Sequence, residues 1–397
     1  MGWGLLIVGA VRAAAAGEGD ACGLAPADAP AQVALLTTAP GGPLYTSMGH
    51  SALVFSGGGR SAPRVYNWGA FDADQDDLLP RFFAGTLEYW LMAEPWDRML
   101  RRVHREDRTL VAQVLDLPPD AVRAMDARLK RESQPENRNY RYHWATANCA
   151  TKIRDVLDAL TGGQLASAWA TPHPHSAREE GFRHLVPHGP VAVLWTSLAG
   201  PYLDRPLTVW DAAMVPDRLM EAVGAARGPG GGPLVRETCT VTVGARPFAP
   251  PPPPLAPVYA AVGAAFAAAI AVARARGRAV AAGRAVAAWG LFAGLLGGLG
   301  VLVWVPSSVD GLGPSLLWLA AGPQALLWVA LGRREARGAR GPGARRLGVA
   351  LAGLGLLSPV ALALADQASY ELLLLLLPPL LAAAFSPARG PAGGPPA

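Results

Sequence analysis

Five long apolar segments fill the C-terminal part of the chain and constrain its fold more than any other feature. They are residues 255–273, 285–305, 313–331, 347–365 and 370–385. A helix needs about 20 apolar residues to cross roughly 30 Å of hydrocarbon, and most of these segments approach that length. The charged fraction of 16% is low, as expected for a chain with membrane content. We therefore predict an all-α transmembrane domain of five helices over residues 255–386.

Arginine residues distinguish the loops between these segments. Arginines are concentrated in residues 274–284 and 333–346, whereas loops 306–312 and 366–369 contain neither lysine nor arginine. Cytoplasmic loops of membrane proteins carry an excess of these two residues. The arginine-rich loops are therefore predicted to be cytoplasmic. The part of the chain before the first segment is then outside the cytoplasm.

Composition divides the remaining residues into four parts. Residues 1–22 resemble a secretory signal, because residues 1–16 are apolar and end in small residues before Gly17. Residues 23–245 mix strand and helix patterns and predict an α+β extracytoplasmic domain. Residues 246–254 form a linker that the proline run stiffens into polyproline II geometry. Residues 387–397 are predicted to be a disordered cytoplasmic tail.

The net charge of +5 does not indicate nucleic-acid binding, because many arginines flank apolar segments.

The sequence around Cys149 has the pattern of a strand followed by a helix. Residues 140–144 alternate aromatic and polar side chains, which is typical of a strand. After the cysteine, apolar residues follow helical spacing at Ile153, Val156, Leu157 and Leu160. A thiol at a helix start has a lowered pKa and backbone N–H groups close to it, which favours a nucleophile. The alternative at this point is a small structural thiol that caps a core helix.

A thiol nucleophile needs a base, and His50 is the candidate that stands apart among seven histidines. It lies in Gly49-His50-Ser51, at the head of an apolar strand over residues 52–55, where an imidazole has little packing purpose. The next predicted strand, residues 64–68, offers Tyr66 and Asn67 to orient the ring. Residues 78–92, further along, are predicted to be helical.

Four histidines lie within sixteen residues, at His173, His175, His184 and His188. Their spacing fits no standard zinc pattern, and two of them neighbour prolines. We therefore interpret this region as an irregular, solvated loop and expect neither a metal nor another cofactor.

Cys22 and Cys239 bracket the predicted soluble domain. Disulfides persist outside the cytoplasm, so one bridge between these residues would tie the N-terminal arm to the last strand, residues 234–243. The alternative is two unpaired thiols.

Three short segments resemble the N-terminal periplasmic domain of the Lnb-type lipoprotein N-acyltransferases. They are residues 45–50 (YTSMGH), 66–71 (YNWGAF) and 148–155 (NCATKIRD). The resemblance covers roughly residues 32–223. That family is related to permuted papain-like folds, including the NlpC-type peptidases and lecithin:retinol acyltransferase. The resemblance therefore implies a papain-like α+β domain that places a histidine on a strand before a cysteine at a helix start.

The same resemblance implies roles for individual residues. Cys149 matches the nucleophile and His50 the base. We assign Asn67 as the third catalytic residue from its position on the strand after His50. Residues assigned to substrate binding are Tyr66, Tyr142 and Asn148.

The implied reaction is acyl transfer on lipoproteins at the bacterial inner membrane. Cys149 would take an acyl chain from the S-diacylglyceryl group of a lipoprotein, and the N-terminal amine of that lipoprotein would then receive it. The partners are thus diacylglyceryl-modified lipoproteins and membrane lipid. Two alternatives remain open: a Cys/His acyl hydrolase or cell-wall peptidase of the same fold, and a non-enzymatic membrane-anchored binding module. A cleft that opens toward the bilayer favours lipid substrates over cell-wall peptides.

Overall fold

The computed structural model describes residues 24–72, 76–249, 254–305 and 307–387. The signal-like N-terminus, Cys22, most of the proline run and the tail beyond residue 387 therefore lie outside the described residues. Cys239, on the last strand, is disulfide-bonded, while Cys149 is a free thiol. The bridge between Cys22 and Cys239 stays a prediction, because one of its two residues is not described.

Within the described residues, seven strands form one antiparallel sheet in the order β6-β4-β3-β2-β1-β5-β7. The strands are β1 Gln32–Thr38, β2 His50–Ser56, β3 Arg64–Ala70, β4 Glu88–Pro95, β5 Leu110–Leu115, β6 Asn139–Arg141 and β7 Val235–Thr242. The predicted strands at residues 32–37, 64–68 and 109–117 are confirmed. The helical prediction for residues 78–92 is wrong after Phe83, because β4 pairs along the whole length of β3.

Nine helices surround the sheet in the described part of this domain. They are α1 Leu78–Phe83, α2 Trp96–Arg105, α3 Pro119–Glu132, α4 Cys149–Leu160, α5 Gln164–Ala168, α6 Ala177–Leu185, α7 Pro190–Leu198, α8 Val209–Ala212 and α9 Pro216–Ala225. The region after residue 163 is thus helical rather than irregular. Its helices are short, and all but α5 begin at a proline or after a Ser or Thr cap. They are too short to show a long helical period of apolar residues in the sequence.

The sheet is covered on both faces because alternate residues of its central strands point in opposite directions. Val33 and Leu35 of β1 join one core with side chains of α3, α4 and α9. Ala34 and Leu36 join a second core with α2. β1 and β2 are consequently buried along almost their full length and form a rigid base for the loops at their ends.

The C-terminal part is helical, and its segments follow the five predicted spans. They are α10 Ala256–Ala275, α11 Ala279–Trp304, α12 Trp318–Ala321, α13 Leu327–Ala336, α14 Pro342–Leu356, α15 Ser358–Leu364 and α16 Glu371–Phe385. Among the described helices, three segments are long and apolar enough to cross a membrane: Ala256–Ala275, Ala279–Trp304 and Pro342–Leu364. α16 is apolar but shorter, and the third predicted span is divided at Gly322. The five-helix count therefore stays a prediction.

The loops without lysine or arginine contact the soluble domain. Gly200 N donates to Gly311 O at 3.1 Å, and Ser369 Oγ donates to Thr196 O at 3.3 Å. The arginine-rich segments lie at the opposite ends of the same helices. This arrangement fits a membrane protein whose soluble domain stands on the side away from the arginine loops.

Candidate active site

Cys149 is the first residue of α4, and a complete helix cap holds the turn before it. Asn148 Oδ1 accepts hydrogen bonds from the N–H groups of Ala150 at 2.8 Å and Thr151 at 2.9 Å. In return, Thr151 Oγ1 accepts from the N–H of Asn148 at 2.9 Å. This capping box satisfies donors that a helix start otherwise leaves unpaired. The thiol thus stands at the positive end of a well-formed helix, as the sequence predicted.

Backbone N–H groups from two elements approach the thiol. The lowered thiol pKa expected from the sequence is wrong, because burial raises the pKa of Cys149, and hydrogen bonds from the N–H groups of Ser51, Ala150 and Cys149 offset only part of that rise. The thiol is therefore protonated at neutral pH before any reaction. The same N–H groups, on β2 and α4, are positioned to stabilise negative charge on an oxygen next to the sulfur.

His50 begins β2 and is linked to a buried carboxylate through Asn67 of β3. His50 Nε2 lies 3.0 Å from Asn67 Oδ1, and Asn67 Nδ2 donates to Glu94 Oε1 at 2.7 Å. Because an ionised carboxylate only accepts hydrogen bonds, the Asn67 amide must direct its N–H to Glu94 and its oxygen to His50. Neutral His50 therefore carries its proton on Nε2, which leaves Nδ1 as a proton acceptor.

Glu94 is in turn held by an arginine from α2. Arg102 donates from both terminal nitrogens to the two carboxylate oxygens, at 3.0 and 2.7 Å. Such a bidentate pair offsets the free-energy cost of burying the Glu94 carboxylate, since Glu94 is only 1% exposed. A continuous series of side chains thus runs from α2 through β4 and β3 to the imidazole.

The charge state of His50 follows from its surroundings. Burial lowers the pKa of His50 from 6.5 to about 4; the hydrogen bond to Asn67 raises it, and the charges of Arg108 and Arg102 lower it further. The imidazole is neutral at physiological pH. A neutral imidazole together with a protonated thiol can act as a general base and a nucleophile.

Gly69 lies beside both Cys149 and His50. A Cβ built on Gly69 would lie 3.6 Å from Cys149 Cβ and 3.5 Å from His50 Cε1, so the sum of these distances limits the separation of those two atoms. Gly69 has a φ of 113° within a bulge between Trp68 and Ala70. Glycine adopts this conformation readily, whereas a side chain would be strained there.

The part of the chain that holds these residues matches a known family. Residues 26–178 match the family model of the Lnb N-terminal periplasmic domain. This segment is an Lnb-type domain. It contains both Cys149 and His50, so the resemblance inferred from the sequence is confirmed. No curated protein and no solved structure matches the chain. The papain-like relationship of the Lnb-type domain stays a prediction.

Of the three residues assigned to substrate binding, Tyr142 belongs to an aromatic group in the Lnb-type domain. Its ring stacks on Tyr89 with centroids 4.3 Å apart. Burial raises the pKa of both phenols, and the charge of a Cys149 thiolate adds to the rise.

Tyr66 and Asn148 require a correction. Tyr66 is fully buried and donates to Asp126 Oδ1 at 3.1 Å. Asn148 caps α4 with its oxygen and donates from Nδ2 to the carbonyl oxygens of Trp144 and Met214. Because their polar groups are used within the fold, we reassign both residues from substrate binding to structural support.

The histidine-rich region supports the loop that precedes His50. His184 Nδ1 lies 3.1 Å from the carbonyl oxygen of Ser47, and His188 Nε2 lies 2.7 Å from Ser47 Oγ. His173 contacts Glu180 instead. The predicted solvated loop is wrong here, since His184 is buried on α6. The described residues contain no group of three or more His, Cys, Asp or Glu side chains that could hold a metal ion.

Sequence reasoning missed Glu94, Arg102 and Gly69. Gly69 belongs to the YNWGAF segment that carries the family resemblance, but nothing in that segment indicates a bulge. Glu94 is an acidic residue among the apolar residues of β4, and buried acids are uncommon without a partner. The sequence predicts a helix over residues 78–92, just before Glu94, and therefore gives no strand that would direct this carboxylate toward Asn67.

Proposed function

We propose that the protein is a membrane-anchored lipoprotein N-acyltransferase of the bacterial inner membrane. It moves an acyl chain from the S-diacylglyceryl group to the N-terminal cysteine amine through a thioester on Cys149. The observation that carries the proposal is that a free thiol and an oriented, neutral imidazole both lie beside Gly69, in an Lnb-type domain joined to apolar helices.

The first half-reaction forms the thioester. His50 Nδ1 accepts the thiol proton while Sγ attacks the ester carbonyl carbon of the diacylglyceryl group. The resulting oxyanion receives hydrogen bonds from the N–H groups of Ser51 and Ala150; each such donor is worth roughly 3 kcal/mol of barrier in acyl-transfer enzymes. The ester C–O bond then breaks, and the protonated His50 returns its proton to the leaving glyceryl oxygen.

The second half-reaction transfers the acyl chain to nitrogen. The neutral α-amine of the lipoprotein cysteine attacks the thioester carbonyl, and His50 takes a proton from the amine. The C–S bond breaks, and Cys149 regains its proton from His50. The product carries one N-linked and one O-linked acyl chain. No water is consumed and no cofactor takes part.

The protonation states of Cys149 and His50 support their roles as nucleophile and base. Because the pKa of Cys149 is raised and that of His50 is lowered, neither group is charged before substrate binds. Proton transfer then coincides with attack on the carbonyl, which is general-base catalysis. Asn67 and Glu94 keep the proton on Nε2, so Nδ1 remains free to accept.

Trapping the thioester tests this proposal. The full-length protein in liposomes is mixed with a synthetic S-diacylglyceryl-cysteinyl peptide, quenched with acid and digested. We expect the Cys149 peptide to gain the mass of one acyl chain, and neutral hydroxylamine to remove it. An N-acetylated peptide, which lacks the acceptor amine, should increase the trapped fraction.

Other outcomes identify the alternatives. Steady release of free fatty acid with no N-acylated peptide would indicate a hydrolase that uses water as the acceptor. An unmodified Cys149 after incubation with the N-acetylated peptide, while the free-amine peptide is converted to product, would show that the thiol is not the nucleophile. Absence of any turnover, with the peptide bound, would indicate a binding module.

A further inference from the structure

A cleft of about 360 Å³ separates the Lnb-type domain from the outer loop that follows α11. Its apolar and aromatic walls come from Phe82, Leu87, Tyr142, Trp144 and Val309. Charged and polar groups at the same cleft come from Arg141, His143 and Asp310. This combination of an aromatic wall with polar groups suits an amphiphile better than a fully polar ligand.

Hydrogen bonds fix the position of this cleft relative to the membrane helices. Ser308 N donates to Phe83 O at 2.9 Å, and Trp144 Nε1 donates to Asp310 O at 2.9 Å. Ser308 follows the end of α11 by only a few residues. The cleft therefore lies level with the outer end of an apolar helix that is long enough to cross a bilayer.

The surface around the cleft is apolar where a bilayer would touch it. At the end of α11, Leu302 is 72% exposed and Val305 is 69% exposed. On α1, which borders the cleft, Leu79 is 62% exposed. Exposed apolar side chains around one site are typical of contact with a partner or a membrane.

An aromatic wall connects the cleft with the thiol. Phe82 and Tyr142 both line the cleft, with ring centroids 6.3 Å apart. The other side of Tyr142 meets Tyr89, and Tyr89 stacks on Phe71 at 4.7 Å. Phe71 follows Gly69 by two residues, and a Cβ built on Gly69 would lie 3.6 Å from Cys149 Cβ. A chain lying along these rings therefore leads from the bilayer surface toward the thiol.

We propose that this cleft admits the ester-linked acyl chain of a diacylglyceryl lipoprotein directly from the outer leaflet. The chain lies against Phe82 and Tyr142, and the polar part of the lipid remains near Arg141 and Asp310. The inference rests on the proposed function, since it names the route by which the acyl donor of that reaction reaches Cys149.

Photocrosslinking locates the acyl chain without requiring turnover. The full-length Cys149→Ala protein is placed in liposomes that contain an S-diacylglyceryl-cysteinyl peptide with a diazirine on one acyl chain. We expect crosslinks on peptides covering residues 78–89, 142–147 and 307–312. Crosslinks confined to the lipid-facing helices, or to the separate groove beside Arg128 and Lys152, would overturn the proposal.

A cleft-filling variant tests the route in the active protein. Val309→Trp should reduce conversion of the bilayer-embedded peptide at least tenfold, while iodoacetamide should alkylate Cys149 at the unchanged rate. Val305→Trp is the matched control, because it adds the same side chain on the exposed end of α11. Full conversion by Val309→Trp would refute the route.

The two proposals fail in different ways. If the route is wrong and the function is right, Val309→Trp converts the peptide normally and Cys149→Ala does not. If the function is wrong, the unsubstituted protein yields no N-acylated product, and the crosslinking pattern still decides whether an acyl chain occupies the cleft.

Discussion

Asn67 and Glu94 are joined by a 2.7 Å hydrogen bond between neighbouring strands, and this bond determines which nitrogen of His50 is free. The carboxylate fixes the orientation of the amide, and the amide oxygen fixes the proton on Nε2. Glu94 thereby determines which nitrogen of His50 carries the proton, although Glu94 itself does not contact the imidazole.

Glu94→Gln should therefore reduce acyl transfer roughly a hundredfold with little change in KM, the scale expected when a catalytic group is misaligned. The new amide lets Asn67 rotate and present its N–H to His50, which moves the imidazole proton to Nδ1. Alkylation of Cys149 by iodoacetamide at pH 7 should slow in parallel. Glu132→Gln, which removes a partly exposed carboxylate at the C-terminal end of α3, is the control. Normal alkylation in Glu94→Gln would show that Glu94 only supports the fold.

The pH dependence of thioester formation with the N-acetylated peptide, which has no amine to titrate, should have its acid limb near pH 4, because the pKa of His50 is lowered to about 4. Below that pH the imidazole is protonated and cannot accept the thiol proton; above it the base is neutral and the rate of Cys149 acylation rises. An unperturbed histidine would place the limb near pH 6.5. Measurement of the acylation rate from pH 3.5 to 8 distinguishes the two, and a limb at 6.5 would argue against His50 in this environment as the base.

Gly69→Ala should impair catalysis more than it impairs folding. The new methyl group would contact both His50 and Cys149, and the residue would carry a strained positive φ that costs on the order of 1–3 kcal/mol. Gly59→Ala is a matched control, since Gly59 also has a positive φ but faces open space. We expect at least a tenfold loss of transfer for Gly69→Ala only. Equal activity of both variants would contradict the contact geometry.

Arg183→Met should destabilise the soluble domain by about 3–5 kcal/mol, the range for breaking a buried ion pair. Arg183 pairs with Glu180 and Asp217 at 2.7 Å each, and its loss leaves two buried carboxylates with less compensation. The exposed Arg123 pairs with Asp120, so Arg123→Met should cost less than about 1 kcal/mol. Thermal unfolding of the two variants provides the comparison; similar transition temperatures would contradict the burial argument.

The sequence predicted those features that depend on local pattern. The apolar run in residues 32–37 corresponds to β1, which is buried on both faces, and the apolar spacing after Cys149 corresponds to α4, which buries one face. Cys149 and His50 were identifiable as candidates from residue type and position. The arginine-free loops were identifiable from composition alone.

Features that depend on pairing between distant segments were not predictable. The apolar residues of β4 fit the spacing of a helix as well as that of a strand. The segment is a strand because it pairs with β3, and this pairing is not visible in the local sequence. The roles of Glu94 and Gly69 exist because β3 and β4 bring them beside Asn67 and Cys149. Tyr66 was misassigned because its direction depends on the strand register, which places it in the core.

The most direct test of the central claim is mass spectrometry of the N-terminus of a diacylglyceryl peptide after incubation with the full-length protein in liposomes. The unsubstituted protein should produce the N-acylated, O-monoacylated form. Cys149→Ala, Cys149→Ser and His50→Ala, each verified as folded and inserted, should leave the diacyl form unchanged. Conversion by the Cys149→Ala protein would contradict the account.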